Sequence, residues 1–255
     1  MSGIEDSRIR SPKPALVLVH GAWGGAWVWR RVLTPLREAG HEVHAVTLTG
    51  DGERAHLRRP DIRLRTHIDD VLGLIEAEEL RDVVLVGHSY GGMVITGAAA
   101  ALQSTEPSRV SGLAYVDAMV PLSGEGWGVG HPPEVAAARL AAAALHGNAL
   151  PPPEPSEGFG LNAADADWLR RRHVLHPFGM YREPLEYDEA LLQPLRRLFV
   201  DCIEPAYPTI DPMRRRVRQS QGWQVAEIAT GHFPMVTAPE ELVRHLLAFA
   251  DPPSS

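Results

Sequence analysis

Val83-Val-Leu-Val-Gly-His-Ser-Tyr-Gly-Gly92 decides how the rest of the chain is read. Val83–Val86 is a short β-branched run with the character of a strand, and the small residues of Gly91–Leu102 form a helical stretch suited to close packing on a sheet. Between them Gly87-His-Ser-Tyr-Gly91 spells G-x-S-x-G in the strand–turn–helix context of a nucleophile elbow. The small residues let the chain turn sharply. The hydroxyl of Ser89 then projects above the sheet, where the N–H groups at the start of the next helix point.

Working outward, short β-branched runs alternate with helix-period stretches, which predicts a parallel sheet flanked by helices. Strands are expected at Ala15–His20, Glu42–Leu48, Val83–His88, Gly112–Val116, Leu198–Cys202 and Gln224–Ile228. Helices are expected at Val28–Ala39, Thr66–Glu79, Gly91–Leu102 and Ala238–Ala250. The last has a capping-box spacing between Thr237 and Glu240. Residues 121–193 break the rhythm: they hold helical patterns at Glu134–Leu145 and Ala163–Arg172 and no strand signal. A helical insertion before the penultimate strand would lie over the strands' C-terminal ends, where open α/β sheets bind ligands. The expected organisation is an N-terminal tail (1–14), a core (15–120 and 194–251) and a helical cap (121–193).

The chain has 255 residues, 44% of them hydrophobic, with 25 basic and 32 acidic side chains for a net charge of −7. That is enough apolar material for one substantial core, and the acidic balance argues against a nucleic-acid binder. One cysteine, Cys202, forms no internal bridge, so a reducing compartment is expected. Met1–Pro14 and the short run after it lack the length and flanks of a signal peptide, and no segment approaches the ~18 to 20 apolar residues of a membrane span. The expectation is a soluble cytoplasmic protein with no membrane partner.

A serine needs a base, and Gly231-His-Phe-Pro-Met235 supplies one just after the final strand, completing a Ser, acid, His chain order. Acyl transfer also needs two oxyanion donors. One is expected from the backbone N–H of Tyr90, the other from Ala22 in the loop Val19-His-Gly-Ala-Trp-Gly-Gly25. His88 is expected to point away from Ser89. His173 and His176 have no third ligand nearby, so neither metal nor cofactor is expected. The triplets Arg170–Arg172 and Arg214–Arg216 read as solvated faces or caps for carboxylates, and the glycine-rich Gly124–Gly130 as a lid hinge.

Beyond the elbow, three stretches stand out: His20-Gly-Ala-Trp-Gly-Gly-Ala-Trp27, Thr47-Leu-Thr-Gly-Asp-Gly-Glu-Arg-Ala-His56, and Trp168 to Leu185 with its His176-Pro and Glu183-Pro-Leu. On these the chain, from Ala15 to Ala250, resembles the α/β-hydrolase superfamily, in the branch of plant methyl esterases, hydroxynitrile lyases and bacterial carboxylesterases. The resemblance implies an α/β-hydrolase fold with a mostly parallel eight-stranded sheet and a small helical lid. It also implies Ser89 and His232 in the roles argued above.

The acid departs from the pattern. Related esterases place an Asp just beyond the penultimate strand, where this chain reads Cys202-Ile-Glu-Pro205. Asp117, at the tip of the strand Gly112–Val116 beside the nucleophile strand, is the expected acid, with Glu204 the alternative. Trp23, Phe233 and Trp127 are expected to line an apolar pocket for a small to medium hydrophobic ester. Hydroxynitrile-lyase chemistry is disfavoured, because that branch has Thr or Asn where Gly21 stands, or Lys where Phe233 stands. A pathway-specific lactonase, thioesterase or cyclase and a non-catalytic receptor are compatible with the same scaffold. The oligomeric state, a homodimer included, is left open.

Overall fold

The computed structural model describes residues 13–105, 109–129, 131–155 and 157–251. The expected tail thus lies, apart from its last two residues, outside the described residues. In chain order the strands are β1 (Ala15–Val19), β2 (Val43–Val46), β3 (Val83–His88), β4 (Val110–Val116), β5 (Ala149–Leu150), β6 (His176–Pro177), β7 (Arg196–Cys202) and β8 (Trp223–Ile228). The α-helices are α1 (Arg30–Glu38), α2 (Leu64–Ala77), α3 (Gly91–Gln103), α4 (Pro133–Leu145), α5 (Ala163–Arg170), α6 (Asp211–Gln219), α7 (Pro234–Thr237) and α8 (Pro239–Ala250).

Six strands form one parallel sheet in the order β2-β1-β3-β4-β7-β8. All six match expected strands. The eight-stranded sheet implied by the resemblance is corrected in number, because β5 and β6 pair antiparallel with each other inside the inserted segment, away from the main sheet. The central strands are buried on both faces, and their side chains alternate between two cores. Val17, Val19, Leu85, Leu113 and Phe199 face α2 and α3, with Met213 and Val217 of α6 in the same core. Leu16, Leu18, Val84, Val86, Ala114 and Val200 face α1 and α8, where Trp29 and Phe249 are fully or almost fully buried.

Three local readings change. The Thr237–Glu240 capping box does not form: Thr237 ends the short α7, and its hydroxyl turns back to Phe233 O and Thr230 Oγ1. Helix α6 carries no strong sequence signal, since its buried apolar side chains are only Met213 and Val217 among arginines. The glycines near 124–128 serve close approach. Gly128 N–H donates to Tyr181 O at 3.0 Å, and Glu125 and Leu185 form a β-bridge, so this stretch is fastened along residues 181–185. Gly130 lies outside the described residues.

Parallel pairing sends every strand's C-terminal end to the same edge of the sheet. The loops after β1, β3, β4 and β8 therefore meet there, and residues of the long connection between β4 and β7 line the same cleft.

Candidate active site

Ser89 follows β3 with φ +53°, the left-handed region that a non-glycine residue occupies only under constraint. The neighbours that hold it there are glycines for a steric reason. A Cβ on Gly92 would sit 2.0 Å from Met119 O, one on Gly91 2.6 Å from Val19 O, and one on Gly87 2.7 Å from Gly91 O. Backbone bonds from Ser89 N–H to Val116 O and from Met119 N–H to Ser89 O tie the turn to the end of β4. Trp23 (φ +67°) and Asp117 (φ +42°) share the strained region, so three such residues gather at this edge.

The expected residues come together. Ser89 Oγ lies 3.0 Å from His232 Nε2, and His232 Nδ1 lies 2.6 Å from Asp117 Oδ2. A carboxylate only accepts, so His232 Nδ1 carries the hydrogen and Nε2 is left to accept the Ser89 hydroxyl proton. Asp117 is fully buried and its own N–H donates to Val200 O at 2.8 Å. Glu204, the alternative acid, is exposed, and its backbone N–H is bonded to Thr230 O. Among the described residues its carboxylate touches neither His232 nor any other partner.

Behind Asp117 stands one arginine of the triplet expected as a solvated face or a cap for carboxylates. Arg214, on α6, is 8% exposed and donates to Asp117 Oδ1, Asp201 Oδ1 and Asp211 Oδ1 at 2.6, 2.6 and 2.7 Å. Burial works against its charge, but Asp117, Asp201 and Asp211 outweigh burial and raise its pKa. Arg216 pairs with Glu125 through both carboxylate oxygens, and Arg215 is exposed. The triplet is thus mostly cap for carboxylates.

His88 does point away from Ser89, and it has work of its own. Its Nε2–H donates to His232 O at 2.7 Å, holding the loop that carries the second histidine, and burial lowers its pKa well below the ordinary value. His20 is fixed in the same way. Leu48 N–H donates to its Nε2, so Nδ1–H faces Gly21 O at 2.6 Å and steadies the loop before Ala22. Among the described residues neither the Ala22 nor the Tyr90 N–H has an acceptor in the chain; Ala22 lines the cleft with Ser89, and Tyr90 follows Ser89 in the chain.

The cleft above Ser89 holds about 510 Å³ of space not filled by atoms, its open mouth included. Trp23, Phe233 and Trp127 all line it, joined by Phe159, His173 and Tyr207. Trp23 and Trp127 meet edge-on at 6.1 Å, and Trp23 Nε1–H donates to Leu150 O, fastening the β1 loop to the inserted segment. The other aromatic residues of the first loop differ in fate: Trp29 is core, while Trp27 packs edge-on against Trp168.

A second buried cluster backs the cleft. His176 Nδ1 lies 2.8 and 3.0 Å from the two oxygens of Asp51, both residues being fully buried. Burial pushes the Asp51 carboxyl up to about 7 and holds His176 down at about 3. His67 Nε2–H donates to Thr49 O, so its Nδ1 accepts from the Tyr90 hydroxyl at 3.0 Å. Both stretches carry the family resemblance, but nothing local in the sequence pairs residues 51 and 176. No group of three His, Cys, Asp or Glu side chains among the described residues is placed to hold a metal. None of the described helices is long and apolar enough to cross a membrane.

Six parallel strands, an elbow with a strained serine and a histidine loop after the last strand define an α/β hydrolase. The family model described as the alpha/beta hydrolase family matches residues 16–245. The carbendazim hydrolyzing esterase of Nocardioides sp. (strain SG-4G) is 42% identical over 91% of this chain and 98% of its own length. The rice (Oryza sativa subsp. japonica) esterase PIR7B is 28% identical over 94% of this chain and 97% of its own. Among solved structures, an extracellular α/β-hydrolase from a Paenibacillus species superposes with a TM-score of 0.80 at 21% identity, covering 92% of this chain and 98% of that one, which speaks to fold. The chain belongs to the α/β hydrolase family and, with these relatives, falls among its esterases.

Proposed function

We propose that the protein hydrolyses small to medium hydrophobic carboxylic esters through a covalent acyl-enzyme on Ser89. The observation that carries this reading is the unbroken chain Ser89 Oγ, His232, Asp117, with contacts of 3.0 and 2.6 Å, at the floor of an aromatic cleft. His232 Nε2 takes the hydroxyl proton as Ser89 attacks the ester carbonyl carbon. Asp117 holds the tautomer and stabilises the imidazolium that forms. The open N–H groups of Ala22 and Tyr90 receive the charge developing on the carbonyl oxygen, each worth about 2.7 to 4 kcal/mol in comparable sites. The imidazolium then gives its proton to the departing alkoxide. A water activated by the same histidine attacks the acyl carbon, the Ser89 ester bond breaks, and the carboxylic acid leaves.

In this reading residues 121–193 are a cap over a core formed by residues 15–120 and 194–251. The cap contributes Trp127, Pro153, Pro155, Phe159 and His173 to the cleft wall, and so sets much of the specificity. The test is hydrolysis of a graded p-nitrophenyl ester series by the wild type and Ser89→Ala, with carbendazim, the substrate in the Nocardioides relative's name, added to the panel. Turnover by the wild type should fall on the order of 10⁶-fold in the variant. Ester turnover that survives loss of the hydroxyl would overturn the reading. Esters that bind without being cleaved by the wild type would point to a receptor.

A further inference from the structure

Arg139, on α4, is the one permanently charged side chain among the described residues lining the cleft; the others are aromatic, aliphatic, hydroxylic or histidine. Its guanidinium lies 5.5 Å from the centre of the Trp127 ring and 5.9 Å from that of Tyr181. Those faces attract a cation and hold the group in place, but they accept none of its directed hydrogen bonds. Nη1 is buried with no acceptor, and among the described residues no carboxylate pairs with Arg139. A charged donor left in that condition is costly unless something else supplies the acceptor.

The nearby histidines, neutral or cationic by nature, cannot compensate this charge. Burial, and then Arg139 itself, holds His131 down at about 4. Burial, and then His20, does the same to His173. Both are neutral at pH 7, and His131 Nδ1 is taken up by the Tyr181 hydroxyl at 2.8 Å. The carboxylates closest in function are committed elsewhere: Asp117 to His232 and Arg214, Glu154 to Arg170. The positive charge at this wall is therefore unopposed.

Position narrows the role. Arg139, Trp23, Pro153 and Tyr207 line both the cleft over Ser89 and an outer apolar groove that runs along Val135, Ala138 and Ala142 of the same helix. Arg139 thus stands at the junction of the cleft with a groove that Ser89 does not line. It lies on the inserted segment, whereas the proposed oxyanion donors lie on the core loops. A ligand atom that meets Arg139 belongs to the far end of the substrate.

We propose that Arg139 selects substrates: the esters this protein favours carry, beyond an apolar middle, a second oxygen acceptor that takes the free guanidinium donors. Ketone, amide and carboxylate oxygens share that chemistry, and a carboxylate fits the planar fork with two bonds. The inference rests on the esterase reading above and specifies its substrate class.

Three matched methyl esters test it: monomethyl glutarate, methyl 5-oxohexanoate and methyl 5-methylhexanoate, which end in a carboxylate, a ketone and an isopropyl group at the same distance from the ester. Acetates of alcohols with the same three ends cover the opposite orientation. In at least one series the wild type should show kcat/KM about ten- to a hundredfold higher for the acceptor-ended esters than for the isopropyl-ended one, the range expected of a hydrogen bond to a charged group. In Arg139→Met that ratio should collapse toward one. Arg139→Lys should restore the carboxylate preference more than the ketone preference, since it keeps the charge and loses the fork. Equal kcat/KM for all three ends in both series, or a preference that survives in Arg139→Met, overturns the role of Arg139 and leaves the esterase reading standing. Failure of the wild type to cleave any member, the isopropyl-ended esters included, brings down both.

Discussion

Arg214 Nη2 donates to Asp117 Oδ1 at 2.6 Å, while His232 uses the other oxygen, Oδ2, of the same carboxylate. Asp117 is thereby clamped from both sides, and its charge is divided between an arginine and a histidine. Removing the guanidinium in Arg214→Gln leaves Asp117, fully buried, without its arginine partner, and leaves the buried Asp201 to Arg218 alone. A loss of about 3 to 5 kcal/mol is expected for breaking a buried ionic group in this way. With the cation gone, the Asp117 carboxylate loses the contact on Oδ1 that fixes its angle to His232, so kcat should fall as well. Arg214→Lys, which keeps a cation, should recover part of both losses. Denaturant unfolding and ester turnover of the two variants check both effects, and a wild-type kcat in a folded Arg214→Gln enzyme would show that Arg214 acts on stability alone.

The two carboxylates proposed from sequence for the acid position are separated by a simple comparison. Asp117→Asn keeps the shape of the side chain but presents an amide to His232 Nδ1 in place of an acceptor-only group, which favours the wrong tautomer. A fall in kcat of about 10⁴ is expected. Glu204→Gln changes an exposed group and should leave kcat near the wild-type value. Single-turnover and steady-state rates on one p-nitrophenyl ester decide it; the reverse pattern would transfer the role to Glu204.

What could be read from the sequence follows from the range of each interaction. The strands β1 and β3 were legible because each is a short run of apolar residues buried on both faces, as in Ala15–Val19, and the elbow because its strand, turn and helix are contiguous. Asp117 was reachable only by knowing that parallel neighbours end at the same edge. Arg214 was not reachable in this role: its partners Asp117 and Asp201 lie 97 and 13 residues away, and a triplet of arginines looks the same on a solvated face. The pair Asp51 and His176 is separated by 125 residues, and the loop after β2 meets β6 only in three dimensions. Thr237 was misread for a related reason, since the spacing fits a capping box but Thr230 and Phe233 O compete for the hydroxyl.

Two glycine substitutions of equal chemistry should have opposite outcomes. Gly92→Ala places a Cβ 2.0 Å from Met119 O, a backbone atom that itself belongs to the loop fastened to Ser89. The turn must shift, so activity and folding yield should both collapse. Gly73 lies on the exposed face of α2 with nothing within 4 Å of an added Cβ. There alanine reduces the entropy of the unfolded chain and suits the helix, so Gly73→Ala should gain about 0.5 to 1 kcal/mol with unchanged turnover. Thermal midpoints and ester hydrolysis of the pair measure the contrast, and a Gly92→Ala enzyme with wild-type kcat would refute the packing argument for the elbow.

The buried histidines set the response to acid. Burial holds His67 and His173 down at about 4 and His176 at about 3, and lowers His20 and His88 as well. Below the ordinary value of 6.5 the unfolded chain binds protons at these sites that the folded chain refuses. Stability therefore falls as pH drops from about 6.5 toward 4, by about 1.4 kcal/mol per pH unit for each such proton. Asp51 works in the opposite direction: burial raises its carboxyl to about 7, so between about 7 and 4 the folded state holds a proton that the unfolded state has released, and acidification favours folding there. One carboxyl offsets one histidine, and the remaining histidines carry the balance. The thermal midpoint should accordingly fall steadily from pH 6.5 to 4.5, and Asp51→Asn, which removes the opposing proton, should make the fall steeper. A midpoint that holds level or rises over that interval in the wild type would mean that these histidines become charged without unfolding the protein.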